Sequence, residues 1–133
     1  MTVREFINVY VFATLANKLD KNTLDSMSAS YQNEFFFIPR VYTKDGFNIS
    51  IQAHHGNYCA SENGTHEFGL DWHEVEWGFP SAEIDGVKYN AEDENNTMGT
   101  VGGYVDIALI EELVNEHGGF DLPMTLAHGV GLE

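Results

Sequence analysis

An α+β fold is what this sequence predicts: a small antiparallel sheet of three to five strands packed against an N-terminal and a C-terminal helix. Three observations predict it. A helix-capping pattern opens the chain, a hairpin pattern spans residues 34–53, and a capped amphipathic helix covers residues 107–117.

Thr2 and Glu5 have the Thr-x-x-Glu spacing of a capping box, in which hydroxyl and carboxylate satisfy the first free amides of a helix. Val3, Phe6, Ile7, Tyr10, Thr14 and Leu15 follow at helical spacing, so a helix is expected over 3–18. The β-branched content of 7–11 would also suit a strand. A second short helix, capped by Thr23, is expected over 23–31. Residues 34–42 are rich in aromatic and β-branched side chains and read as a strand. Pro39 lacks an amide hydrogen and confines that strand to an edge or a bulge. Residues 43–46 (Thr-Lys-Asp-Gly) are a turn, and 47–53 alternate, with Phe47, Ile49, Ile51 and Ala53 on one face.

Residues 54–68 read as a loop and 70–79 as a strand. Regular alternation would point Trp72 away from Val75 and Trp77, so a bulge is expected between them. A short segment over 84–89 surrounds the Asp85-Gly86 turn, and the Gly- and Asn-rich stretch 91–103 reads as a loop. Asp106 then caps a helix whose stripe is Ile107, Ile110, Leu113 and Val114, and Gly118 ends it. One domain over 1–120 and a loosely ordered tail over 121–133 are expected. Trp72, Trp77, Phe79 and Phe35–Phe37 are the natural core aromatics, with Phe36 pointing to a second layer or an interface.

The chain has 133 residues, 43% apolar, enough to bury a core without a disulfide or a metal. Its one cysteine, Cys59, cannot make an internal disulfide, and no leader or membrane-spanning run is visible, so a cytoplasmic protein is expected. The net charge is −15 and unevenly placed. Residues 1–60 carry five acids and five bases; 61–133 carry sixteen acids and one base, Lys88. Adaptation to a salty cytoplasm would spread the acids along the whole chain. A field of this sign repels nucleic acid and anionic membranes and attracts basic proteins.

Three segments carry a resemblance: Ile51-Gln-Ala53 followed by Tyr58-Cys59; Val75-Glu-Trp-Gly-Phe-Pro-Ser81; and Tyr89-Asn-Ala-Glu-Asp93, leading through Gly103-Tyr-Val105 to His117-Gly-Gly119. In order and spacing, residues 49–120 resemble a family of small proteins of no assigned activity carried by phages and prophages, chiefly of Gram-positive bacteria. Residues 54–57 and 64–73 depart from the pattern, and 1–48 lie outside it. The resemblance implies a phage accessory protein. By analogy with other small acidic phage products, it suggests an inhibitor of host defence of the anti-CRISPR kind.

Residues 54–76 bring together His54, His55, Cys59, His66 and His73 with several carboxylates. His54, His55, Cys59 and His66 contain the atoms that zinc takes, without a standard ligand spacing, so they are the metal candidates of a second reading. A Cys59–histidine nucleophile pair is a weaker version of the same idea. Gly99, Gly102 and Gly103 precede a helix, but Glu92-Asp93-Glu94 would repel a phosphate there. No cofactor is expected. The leading reading is a non-enzymatic phage protein in the host cytoplasm that binds a basic surface of a host protein. The binding residues would be Glu92, Asp93 and Glu94, supported by Glu111, Glu112 and Glu116. A zinc enzyme or module and a particle-assembly protein are the alternatives. Oligomeric state and partner identity stay open.

Overall fold

The computed structural model describes residues 1–10, 38–53, 60–61 and 72–129, and the fold within them is α+β. The first helix, α1 (Val3–Glu5), continues into a wider π-helical turn (Phe6–Tyr10). It begins where the capping box places it: Thr2 Oγ1 accepts from the Glu5 amide and Glu5 Oε1 from the Thr2 amide, both at 3.1 Å. The Thr2 amide, and after it the Thr2 hydroxyl, hold the Glu5 carboxyl below its ordinary range. Val3, Phe6 and Ile7 are buried. The rest of the expected 3–18 helix, the 23–31 helix and residues 34–37 lie outside the described residues.

The hairpin pairs β1 (Val41–Tyr42) with β2 (Asn48–Gln52), Val41 opposite Ile49. Gly46 closes the turn at φ +93°, where a side chain would be strained. Phe47, Ile49, Ile51 and Ala53 are all buried, as the alternation requires. The first strand is shorter than residues 34–42 suggested, for Ile38 to Arg40 are not strand. With Pro39 unable to donate to a ladder, Gln52 substitutes its side-chain amide: Oε1 accepts from Ile38 N–H and Nε2 donates to Ile38 C=O, each at 2.9 Å.

The sheet is completed by β3 (Ala60–Ser61), β4 (Trp72–Gly78) and β5 (Val101–Asp106), all antiparallel to their neighbours. β2 and β3 take successive stretches of one edge of β4, opposite 76–78 and 72–74; β5 takes the other edge. Ala60 pairs with Glu74 but Ser61 with Trp72, so His73 is an extra residue on β4. This bulge resets the alternation and buries Trp72 together with Val75 and Trp77.

β5 corrects the loop expected over 91–103. The loop ends at a short 3₁₀ turn, Thr97–Gly99, and the strand starts at Val101. The glycines there serve close approach as well as turning: Gly102 lies directly against the Trp77 indole. β5 has its own bulge, two residues (103 and 104) against one on β4 (Glu76), with Tyr104 at φ +52°. Phe79 is a second correction: it is 52% exposed and outside the core.

Asp106 caps α2 (Ile107–Glu116), its carboxylate accepting from the Ala108 amide at 2.8 Å. Ile107, Ile110, Leu113 and Val114 are buried in one cluster with α1, β2, β4 and β5. Gly118 follows at φ +90° as the helix stop. Residues 121–129, expected as part of a loose tail, form α3 (Leu122–Met124) and a π-helical turn (Thr125–Gly129) docked on β1. The Asp121 amide donates to Tyr42 O at 2.9 Å, and buried Thr125 accepts from the Tyr42 amide at 3.0 Å.

The end of α2 is tied to the hairpin turn. His117 stacks on Phe47 (centroids 4.0 Å, 8° between planes), and its Nδ1 lies 2.7 Å from Asp45 Oδ2. Asp45 also accepts from the Thr43 hydroxyl at 2.7 Å and from the Phe47 amide at 2.9 Å. The Thr43 bond, then Phe47, then His117 lower its carboxyl from 3.8 to about 2. A carboxyl whose folded value is depressed stabilises the fold above its unfolded value and stops doing so as pH falls through the folded one. Asp45→Asn should therefore melt below wild type at pH 5, with the gap closing between pH 4 and 2; the paired melting curves check this. A gap that stays constant over that range would contradict the role given to this carboxylate.

Candidate functional site

The helical period that turns Ile107, Ile110, Leu113 and Val114 inward turns Ala108, Glu111, Glu112, Asn115 and Glu116 outward. These five line a shallow, open depression along α2. Two of its carboxylates are engaged. Arg4 reaches Glu111 from α1, Nη2 at 2.9 Å and Nε at 3.0 Å. Lys88 holds Glu112 at 2.8 Å, which raises the Lys88 ammonium above its ordinary value, and sits 5.4 Å from the centre of the Tyr89 ring. Burial pushes the Tyr89 hydroxyl upward. Glu116 is exposed and has no ion pair among the described residues.

Glu92, Asp93 and Glu94 follow the Ala91–Gly102 bridge and are exposed. The Glu92 amide donates to Val101 O at 2.9 Å, which fixes the loop to the start of β5. Asp93 turns inward on its own loop, Oδ1 accepting from the Asn95 amide at 3.1 Å. Glu92 and Glu94 point their carboxylates to solvent without partners among the described residues.

The turn 85–90 links the two acidic groups. Asp85 Oδ1 accepts from the Val87 and Lys88 amides, both at 3.1 Å, and shapes the turn. Lys88 then meets α2, while Gly86 lies against the Glu94 backbone, so close that a Cβ there would fall 2.7 Å from Glu94 Cα. The six acids expected to bind a partner are thus all at the surface, but unequal: among the described residues Glu92, Glu94 and Glu116 have no side-chain partner, while Asp93, Glu111 and Glu112 have internal ones. Sequence reasoning could not find those partners, because Arg4 lies 107 residues from Glu111.

His54, His55, Cys59 and His66 lie outside the described residues. His73 is described, and its Nδ1 is buried with no hydrogen-bond partner among the described residues. Among the described residues no group of three or more His, Cys, Asp or Glu is placed to hold a metal, and no helix is long and apolar enough to cross a membrane. No family model, no curated protein and no solved structure matches the chain.

Proposed function

We propose that this is a non-enzymatic, phage-encoded accessory protein that binds a basic surface of a host protein in the host cytoplasm. The observation that supports it is the surplus of carboxylate, sixteen acids and one base in residues 61–133, with Glu92, Glu94 and Glu116 exposed and without an ion pair among the described residues around the turn 85–90. Carboxylates so placed substitute for phosphates before a surface of Lys and Arg. A nucleic-acid-binding defence complex is the natural partner, for its grooves present such a surface.

The test is capture from host lysate followed by elution with duplex DNA, which competes for the same basic groups. Reversal of Glu92, Asp93 and Glu94 to Lys should lower retention at least tenfold with little change in melting temperature, since the three are exposed and, among the described residues, Glu92 and Glu94 have no side-chain partner and Asp93 has only the Asn95 amide of its own loop. Retention by wild type should also fall as salt rises from about 50 to 150 mM, because exposed charges are screened over about 8–10 Å there. The free protein should melt higher over the same range, as its self-repulsion is relieved. Retention indifferent to both the reversal and salt would defeat the reading.

A further inference from the structure

Two large apolar side chains stand outside the core at one end of the sheet, Phe79 at 52% and Met98 at 44% exposure. Both are held in place by backbone the fold has fixed. Phe79 follows β4 with φ +49°, a left-handed conformation that strains an L-residue other than glycine. Its amide donates to Thr100 O at 3.0 Å, and its carbonyl accepts from the Arg40 guanidinium. Two residues on, Ser81 is clamped to Asn48, its amide donating at 2.8 Å and its hydroxyl accepting at 2.9 Å. The backbone is thus bent to turn an aromatic ring toward water, where it is only half-buried, so full burial of the ring does not offset the strain.

Met98 is presented in the same way. It sits in the 3₁₀ turn next to Thr97, which is fully buried. Thr97 donates from its amide (3.0 Å) and its hydroxyl to the Glu83 carboxylate, and its hydroxyl accepts from the Ile84 amide at 3.0 Å. Thr100, which holds Phe79, is two residues further on, and Glu92 is fixed to the adjoining Val101. One end of the sheet therefore carries two exposed apolar side chains on hydrogen-bonded backbone, in the same region as exposed Glu92 and Glu94.

We infer that Phe79 and Met98 are the apolar anchor of the binding face, and that its occupant is a protein surface with an apolar pocket ringed by Lys and Arg. This rests on the basic-partner reading and adds what charge alone leaves out. The carboxylates select a cationic surface and speed the encounter, while a few preorganised apolar groups supply most of the lasting affinity. The neighbouring acids choose the occupant: an anionic membrane or a nucleic acid would meet the same carboxylates at a repulsive distance.

The probe is an array of 15-residue peptides bearing four Lys or Arg, with or without a central Leu-x-x-Leu, applied to the full chain. Wild type should prefer the peptides with leucine at least tenfold. Phe79→Ser with Met98→Ser should erase that preference and keep the weaker binding to the purely basic peptides; reversal of Glu92, Asp93 and Glu94 should weaken binding to both sets. Phe79→Gly separates anchor from fold: its melting temperature should equal or exceed wild type, because glycine accepts the left-handed backbone, yet the preference should be lost. A wild type that binds basic peptides without preferring leucine, or a preference that survives both Phe79 variants, overturns the anchor and leaves the charge reading standing. A wild type that binds neither set overturns both.

Discussion

Gly102→Ala should lower the stability of the chain by about 2–4 kcal/mol, near the upper end of what overpacking a filled interior costs. The added Cβ would lie 2.4 Å from Trp77 Nε1, 2.5 Å from Cε2 and 2.7 Å from Cζ2. None of these atoms can retreat. Trp77 is 1% exposed, and its Nε1 donates to Tyr89 O at 2.7 Å, so moving the ring breaks a buried hydrogen bond. Moving β5 instead breaks the pairing of Gly102 with Trp77 on one side and with Ala91 on the other. For a domain of this size the loss corresponds to a melting temperature lower by roughly 8–15 °C. Trp77→Phe removes the atoms that clash, so the double variant should be less damaged than the two single effects added, by about 1 kcal/mol or more. Gly102→Ala melting within about 2 °C of wild type would show that β5 yields where the packing says it cannot.

Glycine also marks where the fold stopped being legible. Gly102 and Gly103 read as loop because glycine usually signals a turn, whereas Gly102 is set by a neighbour 25 residues away in sequence. α2 was legible throughout, since its Asp106 cap, its four-residue stripe and its Gly118 stop are local signals that agree. The hairpin was legible for the same reason at 43–53, but not at Ile38, where a side-chain amide from Gln52 replaces strand pairing. The bulge at His73 could be inferred because two buried tryptophans and a valine cannot share a face without it.

The candidate face was legible only as composition. Counting acids finds Glu92 to Glu94 and the α2 glutamates; it cannot find that Arg4 and Lys88 occupy Glu111 and Glu112. Nor does it find Phe79, whose place in an apolar strand argues for the core until its backbone is seen to turn over. The three free carboxylates and the exposed ring share one cause. The core takes its side chains from alternating and helical periods, and what falls off those periods, in the loop 92–94, on the outer stripe of α2 and just past the end of β4, is left to water or to a partner.

Asn8 is the polar residue on which the join of α1 to the sheet depends. It interrupts the apolar run of the N-terminal helix and is 5% exposed. Its Oδ1 accepts from the Trp72 amide at 2.8 Å, and its Nδ2 donates to the Trp72 carbonyl at 3.1 Å. The carboxamide thus acts on the first residue of β4 as a neighbouring strand would. Asn8→Leu keeps the volume and removes both bonds. A buried polar group that loses its bond costs about 1–3 kcal/mol, so a loss of about 2–4 kcal/mol is expected in urea unfolding. Asn8→Asp sharpens the test. Its carboxylate can still accept from the amide but faces the carbonyl with no proton to give, so it should be destabilising at neutral pH and recover relative to Asn8→Leu on acidification, when the acid can donate. Amide exchange at Trp72 should accelerate in Asn8→Leu beyond what global unfolding explains, because the site opens locally. Should Asn8→Leu unfold within about 0.5 kcal/mol of wild type, the join would rest on the apolar contacts of Val3, Phe6 and Ile7, and the hydrogen-bonded bridge would be incidental.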